Sequence, residues 1–184
     1  MRPVLVVDNL SPFTPDIVAC LGKLGVSHEC TRYSEVSPAD LARYDRVILS
    51  GRRKNDSAIN AANSRIIRSC HDTGQPLLGI CYGSEIIALT LGGSLKKMPR
   101  HVQGPITIQP QRNPLTDGKD EITVYESHGY CVARLPPDFK PLAASQDCQY
   151  EMFAHEKKKI FGTQFHPEKS GADGIDIIAN FVRV

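Results

Sequence analysis

The sequence predicts an α/β domain: a largely parallel sheet flanked by helices, with antiparallel strands added in the C-terminal half. Three observations lead there. Short β-branched runs alternate with helical patterns from Val4 to Ile80, short alternating segments replace them after Pro105, and no repeat or linker-like stretch divides the chain. With 184 residues, the chain has the length of one domain, residues 1–184, and enough substance for one core.

Val4–Val7 ends at Asp8-Asn9 and reads as a buried strand running into a loop. Thr14 or Asp16 then caps a helix carrying Ile17, Val18, Leu21 and Leu24, closed by Gly25. Ser27 to Arg32 is the second strand, and Ser37-Pro38 opens a short helix. Arg46 to Leu49 is a third apolar run, ending in a polar loop from Ser50 to Asn55. Ile59, Ala62, Ile66 and Cys70 fall at helical spacing up to Gly74, and Pro76 leads into the strand Leu77 to Ile80. Beyond Pro105 the segments Ile106–Ile108, Glu121–Tyr125, Leu142–Ala144, Glu151–His155 and Lys159–Gln164 read as antiparallel strands, at the sheet edge or in a subsidiary sheet. Lys157–Lys159 reads as a solvated hairpin turn, and Asp173 to Val182 as a last helix.

Composition narrows the function classes. The hydrophobic fraction is 41%, and 22 Lys and Arg face 20 Asp and Glu. That balance does not describe a strongly basic nucleic-acid binder or an acidic disordered tail. Six cysteines are too dilute for a disulfide scaffold and show no paired metal spacing, so no metal is expected. The run Val4–Val7 is short for a signal-peptide core, and Pro76 to Leu95 is broken by Glu85 and four glycines. A cytoplasmic chain without membrane or nucleic-acid partners is the expectation.

The chemistry centres on Gly79-Ile80-Cys81-Tyr82-Gly83, where an apolar strand runs into a glycine-flanked cysteine and an apolar helix follows. This is the logic of a nucleophile elbow, whose tight turn exposes the nucleophile and whose helix N-terminus favours a thiolate. It also fits a buried cysteine in a core turn. Near the C-terminus, Gly162-Thr163-Gln164-Phe165-His166-Pro167-Glu168 places a histidine after an apolar strand, with a carboxylate two residues on. Such a carboxylate can fix the imidazole tautomer and stabilise its charged form.

These two segments, about 85 residues apart, resemble the two signatures of class I glutamine amidotransferases. Val-Asp-Asn after the first strand, Ile48-Leu49-Ser50-Gly51, Gly92-Gly93 and a Ser127-His128-Gly129 loop extend the resemblance over nearly the whole chain. It implies a flavodoxin-like fold and a glutaminase with Cys81 as nucleophile, His166 as general base and acid, and Glu168 as its orienting partner. It also implies backbone oxyanion donors at Tyr82 and at Gly51 or Arg52, with Glu85, Ser127, His128 and Gly129 holding glutamine. Two positions depart from the family pattern: Arg52 stands where close relatives commonly have Gly, and Glu85 where Gln is usual. His101 and His155 lie apart from any cluster.

No Gly-rich phosphate loop and no dinucleotide fingerprint is present, so no cofactor is expected and the ammonia acceptor must sit elsewhere. The resemblance therefore implies a partner, an ATP-dependent synthetase subunit, in a heterodimer. Among stand-alone members the chain looks most similar to glutaminase subunits of two-subunit GMP synthases, whose partner is an ATP-pyrophosphatase subunit. Glu126-Ser127-His128, Leu135-Pro136-Pro137-Asp138-Phe139, Cys148, Glu151 and His155-Glu156-Lys157-Lys158 carry that likeness. Component II of anthranilate or aminodeoxychorismate synthase comes second, and the glutaminase of imidazole glycerol phosphate synthase third.

Overall fold

The computed structural model describes residues 2–184. Four parallel pairings build the sheet: β1 (Val4–Asp8) lies between β2 (His28–Arg32) and β3 (Arg46–Leu49), then follow β4 (Leu77–Ile80) and β9 (Ile160–Thr163). Two antiparallel strands, β8 (Met152–His155) and β7 (Phe139–Ala143), extend the edge beyond β9, giving the order β2-β1-β3-β4-β9-β8-β7. The remaining strands, β5 (Ser94–Ile108) and β6 (Ile122–Arg134), form a separate antiparallel ribbon. The α/β expectation with antiparallel additions therefore holds, and both forms of addition occur.

Period-two alternation assigns the strand residues to two cores. Val4, Val6, Ile48, Leu78 and Ile80 face one side with α1 (Thr14–Lys23) and α4 (Gly171–Arg183). Leu5, Val7, Val47, Leu49 and Leu77 face the other with α2 (Ser57–Thr73) and α3 (Tyr82–Thr90). Asp56 caps α2 by accepting from the N–H groups of Ala58 and Ile59, and Gly74, at φ 74°, ends it. Strand order reverses between β1 and β3, so the loops after these strands flank the crevice where α/β ligand sites gather.

Several expectations change. Phe13, not Thr14 or Asp16, precedes the first turn of α1, and Thr14 instead donates to Asp8 Oδ1 at 2.8 Å. The Ser37-Pro38 helix is a three-ten turn, Pro38–Arg43. The segment Ser94–Pro105, unassigned from sequence, is strand, and Ser127-His128-Gly129 lies inside β6 rather than in a loop. Polar residues and a register irregularity between Lys97 and Val102 hide the near half of that ribbon from a periodicity reading, which finds only Ile106–Ile108 and Glu121–Tyr125. The segment Lys159–Gln164 contributes β9, which is parallel to β4 and antiparallel only to β8. Among the described residues no helix is long and apolar enough to cross a membrane.

Candidate active site

The strand-to-helix turn is built by exclusion. Cys81 joins β4 to α3 at φ 51° and ψ −108°, a positive-φ conformation unusual for a side-chain-bearing residue. Its N–H donates to Thr163 O at 2.8 Å, and its carbonyl accepts from the N–H groups of Ser84 (3.0 Å) and Glu85 (3.1 Å). A Cβ on Gly79 would meet the Gly83 backbone at 2.4 Å, and one on Gly83 would meet the Leu49 carbonyl oxygen at 2.4 Å. Both glycines are thus required for the close approach of strand and helix.

Strand register brings the second segment alongside. Ile80 sits opposite Thr163, and the chain then runs through Gln164 and Phe165 to His166. His166 Nδ1 lies 2.8 Å from Glu168 Oε1, and both residues are buried. A carboxylate only accepts when ionised, so this contact places the imidazole proton on Nδ1 and leaves Nε2 with its lone pair. The backbone of His166 is held as well: its N–H donates to Tyr125 O at 2.8 Å, and its carbonyl accepts from Ser170 Oγ at 2.6 Å. Phe13 packs edge-on against the ring at 4.9 Å.

The loop after β3 closes the arrangement. A Cβ on Gly51 would come within 3.3 Å of His166 Cε1, so this backbone abuts the imidazole. Ser50 Oγ accepts from Asn9 N–H at 2.9 Å, and the Asn9 and Asn63 amides bond one another at 2.6 and 3.1 Å. This buried brace ties the loops after β1 and β3 to α2. Sequence reasoning missed Asn63, since an asparagine in a polar-faced helix carries no signal of its own.

Arg52, Arg53, Lys54, Cys81, Tyr82, Glu85, His101, Ser127, His128, Gly129 and Tyr130 line one cavity. Of the residues named for the site from sequence, the cavity lining holds Cys81, Arg52, Tyr82, Glu85, Ser127, His128 and Gly129; Gly51, His166 and Glu168 lie outside that lining, with the Gly51 backbone against the His166 ring. The structure also corrects two expectations. His101 joins this lining, and His155 packs against His71 with ring centroids 5.6 Å apart, so neither stands alone. Arg52 is not among the described residues with positive φ, which is why a side chain is accepted there. Its guanidinium lies 3.9 Å from the Tyr82 ring centroid and donates to Asn60 Oδ1 at 2.6 Å, so it is a placed wall rather than a solvated loop.

Electrostatics qualify the expectation of a thiolate. Burial pushes the Cys81 thiol well above its ordinary value, and the Glu85 and Glu168 carboxylates push the same way, against a hydrogen bond from the Tyr82 N–H. The thiol donates to Ser127 O at 3.8 Å. Burial likewise raises Glu85, although Gln164 Nε2 donates to its Oε1 at 3.1 Å. Gln164, quoted in the motif but given no role, is thus the residue that orients Glu85. Burial lowers His128, but contact with Glu126 outweighs it and the net direction is up. Glu151 is pushed up to about 9 by burial and by Glu126. All six cysteines are free thiols, and only Cys30 is exposed.

Comparison with known proteins identifies the family that shares this fold. The family model for glutamine amidotransferase class-I matches residues 5–184. The glutamine-hydrolyzing GMP synthase subunit of Thermoplasma acidophilum is 32% identical over 188 residues, covering 100% of this chain and 93% of that one. The glutamine-hydrolyzing GMP synthase of Vibrio atlanticus is 32% identical over 185 residues, but the chain spans only 35% of its length. A crystal structure of a putative GMP synthase subunit from T. acidophilum superimposes with a TM-score of 0.89 over 100% of this chain and 93% of that chain, at 32% identity. A glutamine amidotransferase from Thermotoga maritima shares the fold, with a TM-score of 0.76 at 22% identity over 91% of this chain and 76% of that one.

Proposed function

Because this chain belongs to the class I glutamine amidotransferase family, we propose that it acts as a single-domain glutaminase subunit that hands ammonia to a separate ATP-dependent synthetase. The synthetase is the ATP-pyrophosphatase subunit of a GMP synthase, and the amination is that of XMP to GMP. Similarity to the Thermoplasma GMP synthase subunit along 93% of its length favours this acceptor over chorismate-derived ones.

In this reading Cys81 Sγ attacks the glutamine side-chain amide carbon while its proton passes to His166 Nε2. The tetrahedral oxyanion is met by the backbone N–H groups of Tyr82 and the Gly51–Arg52 loop. His166 then gives that proton to the leaving nitrogen, the C–N bond breaks, and ammonia departs from a γ-glutamyl thioester. A water molecule, deprotonated by Nε2, attacks the thioester, and glutamate leaves as the thiol recovers its proton. Glu168 stabilises the imidazolium formed in each half-reaction. Glu85, Ser127 and Gly129, with the backbone of His128, hold the amino-acid end of the substrate, the His128 ring being turned to the Tyr130 carbonyl and Glu126. The buried contact of His166 with Glu168, on the chain that follows the strand bonded to the Cys81 N–H, is the observation that carries the mechanism.

The raised Cys81 thiol also supports low activity of the isolated protein, with partner docking at the Arg52 loop completing the oxyanion site. The test combines the glutaminase with its synthetase. Cys81→Ala should abolish glutamine-dependent GMP formation while added ammonium still supports it. Loss of both would make Cys81 structural, and full glutaminase activity without the synthetase would refute the activation.

A further inference from the structure

We propose that Glu126, His128 and Glu151 bind one divalent transition-metal cation of the zinc class behind the wall of the Cys81 cavity. The alternation of β6 makes the case first. Ile122, Val124, Glu126 and His128 all fall on its buried face, so two polar side chains occupy positions that the pattern reserves for apolar ones. Glu151 arrives from the residue before β8, its N–H bonded to Ala143 O at 3.0 Å and its carbonyl accepting from Gln164 N–H at 2.8 Å. One ligand atom from each of the three residues lies within 4.8 Å of the other two.

Their hydrogen bonding points to a cation. His128 Nδ1 lies 2.8 Å from the Tyr130 carbonyl, which can only accept, so Nδ1 carries the ring hydrogen. In the neutral ring the Nε2 lone pair then faces Glu126 Oε2 at 2.6 Å, a close approach without hydrogen-bond alignment. Apart from that 2.6 Å contact, both oxygens of Glu126, His128 Nε2 and Glu151 Oε2 are buried with no aligned hydrogen-bond partner among the described residues. No lysine or arginine forms an ion pair with either carboxylate among the described residues. Once Glu151 gives up the proton that burial and Glu126 favour, and His128 the one that Glu126 favours, two carboxylates and a neutral imidazole carry the charge that one divalent ion balances.

The outer contacts are those of metal ligands. The His128 Nδ1–H is fixed by a backbone carbonyl. Glu151 Oε1 accepts from Ser145 Oγ at 2.6 Å, and that hydroxyl is itself held by the N–H groups of Asp147 (3.2 Å) and Cys148 (3.0 Å). One imidazole with two carboxylates suits zinc better than magnesium or calcium, which ask for six or more oxygen ligands. The same stretch of β6 supplies the Ser127 carbonyl that faces the Cys81 thiol, so an ion here would stiffen that wall.

Cys81→Ala protein removes the competing thiol–imidazole pair and is the material for the test. After chelator treatment it is given one equivalent of Zn2+, gel-filtered, and assayed for metal content and X-ray absorption. About one zinc per chain is expected, with nitrogen and oxygen neighbours at roughly 2.0–2.2 Å and no sulfur. Added Glu151→Gln should abolish retention. Should that variant not fold, Ser145→Ala decides, since it keeps all three ligands and should weaken zinc binding by about tenfold or more with an unchanged circular dichroism spectrum. Folded protein that retains no zinc, a sulfur-containing shell, or unchanged binding in the folded variants would overturn the proposal; in the first case the carboxylates are neutralised by protons.

Discussion

His166 and Glu168 meet through a 2.8 Å contact between Nδ1 and Oε1, with neither side chain open to solvent. The carboxylate fixes the tautomer and offsets the imidazolium charge, so Glu168→Gln should cost both. We expect kcat for glutamate release to fall by about 10²–10⁴ with little change in KM. Steady-state assay with the synthetase present measures this, and a fall below threefold would remove Glu168 from the mechanism.

Glu85 is the largest charged influence raising the Cys81 thiol, after burial itself. The thiol pKa stands above its ordinary value of 9.0, so the rate of alkylation should still be rising with pH beyond 9, where a free cysteine levels off. Glu85→Gln removes the opposing carboxylate and keeps the shape. Alkylation of Cys81 at pH 8 should then quicken, tenfold for each unit by which the pKa falls. Mass spectrometry of timed iodoacetamide samples reads the rate, and a slower reaction would contradict the electrostatic account.

Arg52 stacks on Tyr82 and bonds Asn60, which also accepts from the Tyr82 hydroxyl at 2.8 Å. Arg52→Ala should lose about 0.5–2 kcal/mol of stacking. In a chain of this size the melting temperature should drop by about 1–8 °C. Arg52→Lys should recover little, because an ammonium lacks the planar guanidinium. Calorimetry on the three proteins at one salt concentration makes the comparison.

Asp173 ties α4 to the ribbon: Lys119 Nζ donates to its Oδ1 at 2.8 Å and Thr123 N–H to its Oδ2 at 2.8 Å. The Lys119 contact first, and then the Thr123 N–H, hold its pKa below the ordinary 3.8. A lowered carboxylate stabilises the fold above 3.8 and loses that contribution as pH falls through its folded value. Asp173→Asn should therefore melt about 1–3 °C lower at pH 7, with the gap closing below pH 3.8. Melting curves from pH 7 to pH 2 would show it, and a constant gap would rule the linkage out.

How legible the molecule was in its sequence depended on regularity. β1, β3 and β4 are uninterrupted apolar runs with buried residues throughout or nearly so, and α2 repeats at helical spacing between Asp56 and Gly74, so periodicity located them to within a residue or two. Of the ribbon only the far half was legible, Ile106–Ile108 with Glu121–Tyr125; the near half was not, because Lys96, Lys97, Arg100 and His101 stand on its open surface and its register slips between Lys97 and Val102. For the candidate site, Cys81, His166 and Glu168 could be singled out because glycine spacing and a short His-Pro-Glu run are local signals. The neighbours that surround them are not local. Asn9 meets Asn63, and Gln164 meets Glu85, through the packing of α2 and α3 against the sheet. Glu126 and Glu151 likewise come from separate segments, so their meeting has no signature in either one.

The two glycines of the elbow also bear on how this chain can vary. A methyl group at position 79 or 83 would collide with main-chain atoms, and no rotamer change elsewhere relieves a clash with backbone. The outer surface of the ribbon, with Lys96, Lys97, Arg100 and His101 in solvent, carries no such restriction. A library of random substitutions selected for folding should therefore leave positions 79 and 83 invariant while the ribbon accumulates changes. The same selection, run without any demand for catalysis, would keep the glycines and release His166, separating what the turn needs to exist from what the reaction needs to occur.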